Sequence, residues 1–398
     1  MNLLKPLAFS LSLSLSSLVF SPLALSQTSA AEERVDYTQF THLFKSNILN
    51  EERTVVVQLP KSYKAEPDKV YPVIYRLDGV GNLPLITSVL ERLQNDNAAP
   101  EAIIVAIENT ERLRDLYPTV NEEPQGPVGL GGGGKKFLDF FEKELIPLID
   151  DKYRTHDYKV IGGASAAGVF ALYAMTEKPN LFQAHLAYSP AVWWNYGAAV
   201  NRTKEFLKKN KTLDTYLYMN IGEEAGVMRE RYDDLQQFIQ NNKPFKLSYV
   251  SDALDDVSHN LTSAAGAFNA YHNLFMAKQM PLKKLTYDMN SIDAYYKKLS
   301  EQWGEQITPP DNAVRQLGYQ LIGMRNYDKA IQVFAHNTKL HPNSIDAWWG
   351  LSYGYEQKED NKKAFEFLEK AVKLADKSYP YYDMLMDAQT RLKAAANL

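Results

Sequence analysis

From Arg53 onward the chain alternates short apolar runs with longer amphipathic stretches. Arg53 to Leu59 carries the β-branched run Thr54-Val55-Val56-Val57 and stops at Pro60, and Tyr71 to Leu77 stops at Asp78-Gly79; both patterns predict strands. Further strands are predicted at Ala102 to Ile107, Tyr158 to Ile161, Ala184 to Tyr188, Tyr216 to Ile221 and Phe245 to Val250. Helical periodicity fills the intervals at Leu85 to Gln94, Phe137 to Tyr153, Ala166 to Thr176, Arg202 to Lys208, Arg229 to Gln240 and Ala264 to Met276. Repeated strand-helix units predict an α/β fold, a mostly parallel sheet with helices on both faces.

After Met280 the pattern becomes helical and rich in Tyr and Lys, with a break at Pro309-Pro310. At an offset of 34 residues Leu317 matches Leu351, Ala330 matches Ala364 and Phe334 matches Leu368, while Val314 and Trp348 share one position of the repeat. The first copy keeps Gly318 and Pro342, where the second has Ser352 and Asp376. Two helical hairpins and a partial third, Tyr381 to Leu392, resemble a short tetratricopeptide array, whose neighbours stack to share one core. The expected organisation is an α/β domain over residues 33–280, a helical linker over 281–310 and repeats over 311–398, the last offering a surface to a protein or peptide partner.

The first residues follow a different pattern. Lys5 precedes an apolar, serine-diluted run from Leu7 to Leu25, then the small residues Ser29-Ala30-Ala31, the order of a cleaved secretory signal rather than a membrane anchor. Residues 1–26 are therefore read as a signal peptide, and the mature chain is expected in the periplasm or outside the cell, without a stable membrane anchor. With 44 Lys plus Arg against 48 Asp plus Glu, the formal charge of −4 provides no broad basic surface, so nucleic acid is not an expected partner. The absence of cysteine removes disulfides, thiolate nucleophiles and Cys-ligated zinc. Hydrophobic residues make up 45% of the 398, enough to build two or three packed domains.

The chemistry-bearing stretch is Val160-Ile161-Gly162-Gly163-Ala164-Ser165-Ala166-Ala167-Gly168, a strand running through small residues into a helix. A nucleophilic serine needs such a tight strand-to-helix turn, so that its hydroxyl projects and the following amide can bind an oxyanion. Ser165 occupies the turn, although Ala167 stands where the G-x-S-x-G pattern has its second glycine. The base should come from a later loop. His259, in Asp255-Asp256-Val257-Ser258-His259-Asn260 after the last predicted strand, fits this place, whereas His272 falls within a helix and His185 within a strand. The acid is expected after Tyr216 to Ile221, in Gly222-Glu223-Glu224, with Glu224 preferred and Glu223 or Asp256 as alternatives. The Ala166 N–H is one oxyanion donor, and the second is assigned to Gly79 or Val80 without choosing between them.

Taken with Ile48-Leu49-Asn50-Glu51-Glu52-Arg53, Leu59-Pro60, Leu77-Asp78-Gly79, Asn109-Thr110-Glu111-Arg112-Leu113-Arg114-Asp115, Glu144-Leu145-Ile146-Pro147 and Tyr188-Ser189-Pro190-Ala191-Val192-Trp193-Trp194, these residues resemble the putative esterase (esterase D-like) family of α/β-hydrolases from about Asn47 to Phe275. The resemblance implies a serine esterase acting on a small ester, such as a siderophore or phenolic ester, through an acyl-enzyme. Ser165 would be the nucleophile and His259 the base, with Arg112, Asp115 and Trp193 near the substrate pocket. It leaves open acyl transfer to a sugar or lipid hydroxyl, and an inactive hydrolase fold acting as a repeat-based binding module.

Gly129-Leu130-Gly131-Gly132-Gly133-Gly134-Lys135-Lys136 comes close to a phosphate-binding loop, but Lys136 stands where the magnesium-binding hydroxyl must be and no apolar strand precedes it. The glycines are expected instead to form a mobile loop beside the cleft. Neither a cofactor nor a metal is expected.

Overall fold

The computed structural model describes residues 38–96, 98–276, 289–303, 306–377 and 379–397. The predicted signal peptide and much of the boundary between the α/β and helical segments lie outside the described residues. Among the described residues, no helix is long and apolar enough to cross a membrane.

The α/β segment runs β1 (Gln39–Ser46), β2 (Glu51–Gln58), β3 (Tyr71–Arg76), α1 (Gly79–Asn95), β4 (Ile103–Ile107), α2 (Arg112–Leu116), α3 (Gly134–Phe140), α4 (Ile146–Lys152), β5 (Thr155–Ala164), α5 (Ala166–Glu177), β6 (Ala184–Tyr188), α6 (Trp194–Lys209), β7 (Tyr216–Ile221), α7 (Gly226–Asn242), β8 (Ser248–Ala253) and α8 (Thr262–Phe275). The strands form one sheet in the order β1-β2-β4-β3-β5-β6-β7-β8. Both pairings of β2 are antiparallel, and the five pairings from β4 to β8 are parallel. This is an α/β-hydrolase sheet, with one more strand than the hydropathy pattern predicts.

Alternate residues of the central strands enter opposite cores, as the two-residue period of a strand requires. Val55, Val57, Val73, Tyr75, Ile103 and Val105 face one apolar layer, and Val56, Ile74, Ile104 and Ala106 face the other. With both faces covered, these strands read as continuous apolar runs. Helix α5 is buried at every residue from Ala166 to Thr176, so it is apolar all round rather than amphipathic.

Several elements depart from expectation, among them the unpredicted short helix α2 and helix α6, which starts eight residues before the expected Arg202. The edge strand β1 went unpredicted because Phe40 and Leu43 are exposed and polar residues surround them, leaving no apolar run. Strand β8 begins at Ser248, beyond the expected Phe245, whose ring is 73% exposed. The long helix expected over Phe137 to Tyr153 contains a wider π turn at Phe141–Leu145 between α3 and α4.

The C-terminal segment is all-helical: α9 (Met289–Trp303), α10 (Asp311–Gly323), α11 (Tyr327–Leu340), α12 (Ile345–Gln357), α13 (Asn361–Leu374) and α14 (Tyr382–Ala395). Helices α10 and α12 begin 34 residues apart, as do α11 and α13. Helix α9 lies within the expected linker, yet its Ile292, Tyr296 and Leu299 are buried in one core with Val314, Leu317 and Phe334 of α10 and α11. It packs as the first helix of this region. A second core joins Ala364 and Leu368 of α13 to Leu385 and Leu392 of α14, and Trp348 and Tyr355 of α12 pack against both cores.

Candidate active site

Parallel strands present their carboxyl ends along one edge of the sheet, and loops leaving that edge can bring distant residues together. Strand β5 ends at Ala164, paired with Tyr188 at the end of β6, which in turn pairs with Asn220 of β7. The residues immediately beyond these strand ends build the site.

Ser165 stands between β5 and α5 with φ +59° and ψ −117°, a conformation that non-glycine residues adopt only where the surroundings impose it. Its N–H donates to Tyr188 O at 2.9 Å, and its carbonyl accepts from Ala191 N at 3.1 Å, fastening the turn to the β6–α6 loop. The N–H of Ala166 opens the helix and has no carbonyl one turn earlier to bind, which leaves it available as a donor.

On the other side, Gly79 starts α1 with its Cα hard against β4: a side chain there would come within 2.6 Å of Ala106 Cα and Ile107 N. Val80 follows on the surface, 38% exposed. Asp78, in the left-handed region at φ +52°, receives Arg112 Nε at 2.9 Å and Nη2 at 2.8 Å. The same guanidinium reaches the carbonyl of Ala164 at 3.4 Å, which sets a half-exposed cation beside the residue before Ser165.

Glu224 and His259 meet beyond β7 and β8. His259 Nδ1 lies 2.6 Å from Glu224 Oε1, and Glu224 Oε2 accepts the Gly222 N–H at 2.6 Å. Burial alone would push the Glu224 carboxyl up, but hydrogen bonds from Ser189, His259 and Gly222 bring it below its ordinary value. Glu223 and Asp256, the alternative acids, are both exposed. With Nδ1 turned to the carboxylate, Nε2 is the ring nitrogen left for a substrate or a serine hydroxyl.

Asp115 is placed differently from the expectation. Its side chain is only 4% exposed, bonded to the buried Arg53 and to Arg114 Nε at 2.7 Å. Arg53 also lies 5.0 Å from the centre of the Phe137 ring, so Asp115 neutralises a cation inside the core rather than facing a pocket. Trp193 is half-buried, whereas its neighbour Trp194 stacks on Tyr117 at 3.6 Å and donates Nε1–H to Thr119 O at 3.0 Å.

The glycine-rich segment is fastened against these rings. Asn121 N donates to Leu130 O at 2.8 Å, Gly132 and Gly134 donate to Tyr117 O, and Asn195 N donates to Asn121 Oδ1 at 3.1 Å. Gly131 sits at φ +99° with Thr119 O and the Trp194 ring where a side chain would stand, so only glycine fits this turn of the loop expected beside the cleft.

Two residues given no role by the sequence reading also belong to the site. Ser189 is fully buried at the end of β6, with its hydroxyl bonded to Glu224 and 3.2 Å from His259 Nδ1. Asn220 Nδ2 donates to Thr262 O at 2.8 Å, beside the His259 turn. The available signal was positional: a polar residue directly after an apolar strand and before Pro190, and a lone polar residue within the apolar run of β7, one place before its end.

A family model described as putative esterase matches residues 46–273. The ferri-bacillibactin esterase BesA of Bacillus subtilis (strain 168) is 31% identical over 179 residues, covering 41% of this chain and 62% of that protein. The siderophore triacetylfusarinine C esterase of Aspergillus fumigatus is 30% identical over 152 residues, covering 35% of this chain and 51% of that protein. The chain thus spans between half and two thirds of the length of these relatives. Among solved structures, an IroE-like serine hydrolase from Shewanella oneidensis superposes with a TM-score of 0.64 at 25% identity, covering 76% of this chain and 99% of that one. An uncharacterised protein from Capnocytophaga ochracea shares the fold over 90% of this chain and 100% of its own, with a TM-score of 0.60 at 18% identity.

Proposed function

The chain belongs to the putative esterase family, and from that premise we propose that it is an exported serine hydrolase that cleaves a carboxylic ester, of the siderophore class, through an acyl-enzyme. The observation that carries this reading is the 2.6 Å contact between Glu224 and His259 along the strand-end edge where Ser165 occupies its strained turn. One relative named as a siderophore esterase and another named as a ferri-bacillibactin esterase support the substrate class.

In this mechanism Ser165 Oγ bonds to the ester carbonyl carbon as its proton passes to His259 Nε2, and Glu224 stabilises the resulting imidazolium through Nδ1–H. The oxyanion takes the Ala166 N–H and that of Gly79 or Val80. The bond to the alcohol breaks as His259 returns the proton to it. Water then attacks the acyl carbon, giving a proton to His259, and the bond to Ser165 breaks with that proton restored. Arg112 and Trp193 border the substrate, while Asp115 acts at a distance by holding Arg53 and Arg114.

Export rests on the pattern of residues 1–26, and places the enzyme in the periplasm or outside the cell. The 34-residue spacing of α10–α11 and α12–α13 supports reading residues 311–398 as tetratricopeptide-like repeats that bind a protein or peptide. The test is a hydrolysis screen of short acyl, feruloyl and catecholate-siderophore esters with the wild type and Ser165→Ala. Turnover of the siderophore esters, lost in the variant, is expected. No turnover of any ester, or equal turnover in Ser165→Ala, would overturn the reading.

A further inference from the structure

Ser189 is fully buried and held at φ +39°, in the region L side chains rarely adopt. A glycine would take this backbone without strain, so a serine here points to a use for its hydroxyl. The surroundings specify that use. An ionised carboxylate only accepts hydrogen bonds, so the single Ser189 hydroxyl proton is donated to Glu224 Oε1. The same carboxylate oxygen faces His259 Nδ1 at 2.6 Å, and Ser189 Oγ lies 3.2 Å from that nitrogen. Glu224 Oε2 is held separately by the Gly222 N–H.

The backbone of Ser189 is tied into the same network. Its N–H is shared between Asn220 O at 3.0 Å and Asn220 Oδ1 at 2.9 Å. Asn220 Nδ2 donates to Thr262 O, and Thr262 Oγ1 donates to His259 O at 2.9 Å. One chain of bonds thus runs from the turn after β6, through β7, to the backbone of the histidine.

We propose that Ser189 is a positioning residue of the hydrolytic site, whose hydroxyl holds the Glu224 carboxylate against Nδ1 of His259. It acts through the carboxylate and touches neither substrate nor nucleophile. The inference rests on the reading of Ser165, His259 and Glu224 as a hydrolytic triad and deepens it by naming what orients the acid.

The test compares Ser189→Gly and Ser189→Ala in the full chain, measuring thermal unfolding together with kcat and KM on an activated ester. Ser189→Gly relieves the backbone, which offsets part of the lost hydrogen bond, and is expected to stay folded at the assay temperature. Its kcat should nevertheless fall about 10- to 100-fold, the weight of a hydrogen bond to a charged group, with KM changed less than about twofold. Ser189→Ala should lose kcat to the same extent, which keeps the test open if one variant folds poorly. Added to Glu224→Gln, the Ser189→Gly change should lower kcat by less than about twofold more, because the two act as one unit. Wild-type kcat in Ser189→Gly, with Ser165→Ala and Glu224→Gln both strongly impaired, would overturn this inference and leave the triad standing. So would a further tenfold loss in the double variant. Undiminished turnover in Ser165→Ala would overturn the triad reading and this inference with it.

Discussion

Gly163 and Ala167 share room for a single methyl group: a Cβ on Gly163 would fall 2.3 Å from the Cβ of Ala167 and 3.1 Å from that of Leu77. The elbow therefore tolerates alanine at the position where the family pattern has its second glycine, because the glycine before Ser165 leaves the space empty. Gly163→Ala should lower stability by roughly 1–3 kcal/mol through overpacking and reduce kcat by shifting Ser165. The compensating pair Gly163→Ala with Ala167→Gly should recover much of both. Thermal unfolding and ester turnover across the three variants check this; full activity in Gly163→Ala alone would contradict it.

Glu224→Gln keeps the shape of the side chain but replaces an ionised acceptor with an amide. If Glu224 orients His259, kcat should drop by about 10³- to 10⁴-fold while the fold is retained, since an amide can fix the wrong tautomer and cannot stabilise the imidazolium. Stability gives an independent reading. The folded Glu224 carboxyl lies below its ordinary value of 4.5, so its ionised form contributes stability above that value and loses it as the pH falls through the lower, folded one. The stability difference between wild type and Glu224→Gln should accordingly shrink on acidification below about pH 4, as read from denaturant midpoints.

His185 sets a separate acid limit. It is fully buried in β6, its Nδ1 is 3.1 Å from Thr215 Oγ1, and burial pushes its pKa down to about 3 from 6.5. Thr215 Oγ1 already donates to Gln183 O, so it accepts from His185 and the ring stays neutral. The unfolded chain binds a proton below pH 6.5 that the folded chain refuses, so this stability is complete above pH 6.5 and decays as the pH falls towards 3. Between pH 8 and pH 5 the residue should account for about 2 kcal/mol of lost stability. His185→Leu should lose less over that interval, whatever its stability at pH 8, and an unchanged slope in urea unfolding would refute the assignment.

The boundary between segments has a practical consequence. A chain ending at Thr308 would keep Ile292, Tyr296 and Leu299 of α9 without the helices that cover them, and should associate through that exposed stripe. A chain ending at Met276 should stay monomeric and still cleave an activated ester. Size-exclusion chromatography and turnover of the two truncations decide this; inactivity of a folded form ending at Met276 would mean that the helical region contributes to the site.

The parallel core was legible because strands buried on both faces leave continuous apolar runs, as at Val55 to Val57 and Ile103 to Ile107. Strand β1 was not, since backbone pairing along its edge needs no apolar side chains. The positions of Ser165, His259 and Glu224 followed from the order in which loops leave the strands. Ser189 and Asp115 did not yield to that logic. The role of Ser189 depends on a backbone angle and a partner 35 residues away, and Asp115 was drawn inward by Arg53, a charge whose burial no local pattern reveals.

Trp348 and Tyr355 belong to the packing of both apolar cores in the helical segment. With Trp348 Nε1 donating to Pro342 O at 2.7 Å and Lys370 poised 4.6 Å from its ring centre, the residue is a rivet through two neighbouring units. In a stacked array the weakest interface sets where melting begins and whether the pieces come apart separately. Here the interface shares its side chains with the interiors on either side, so helices α9 to α14 should melt in a single cooperative step, with no half-unfolded array exposed along the way.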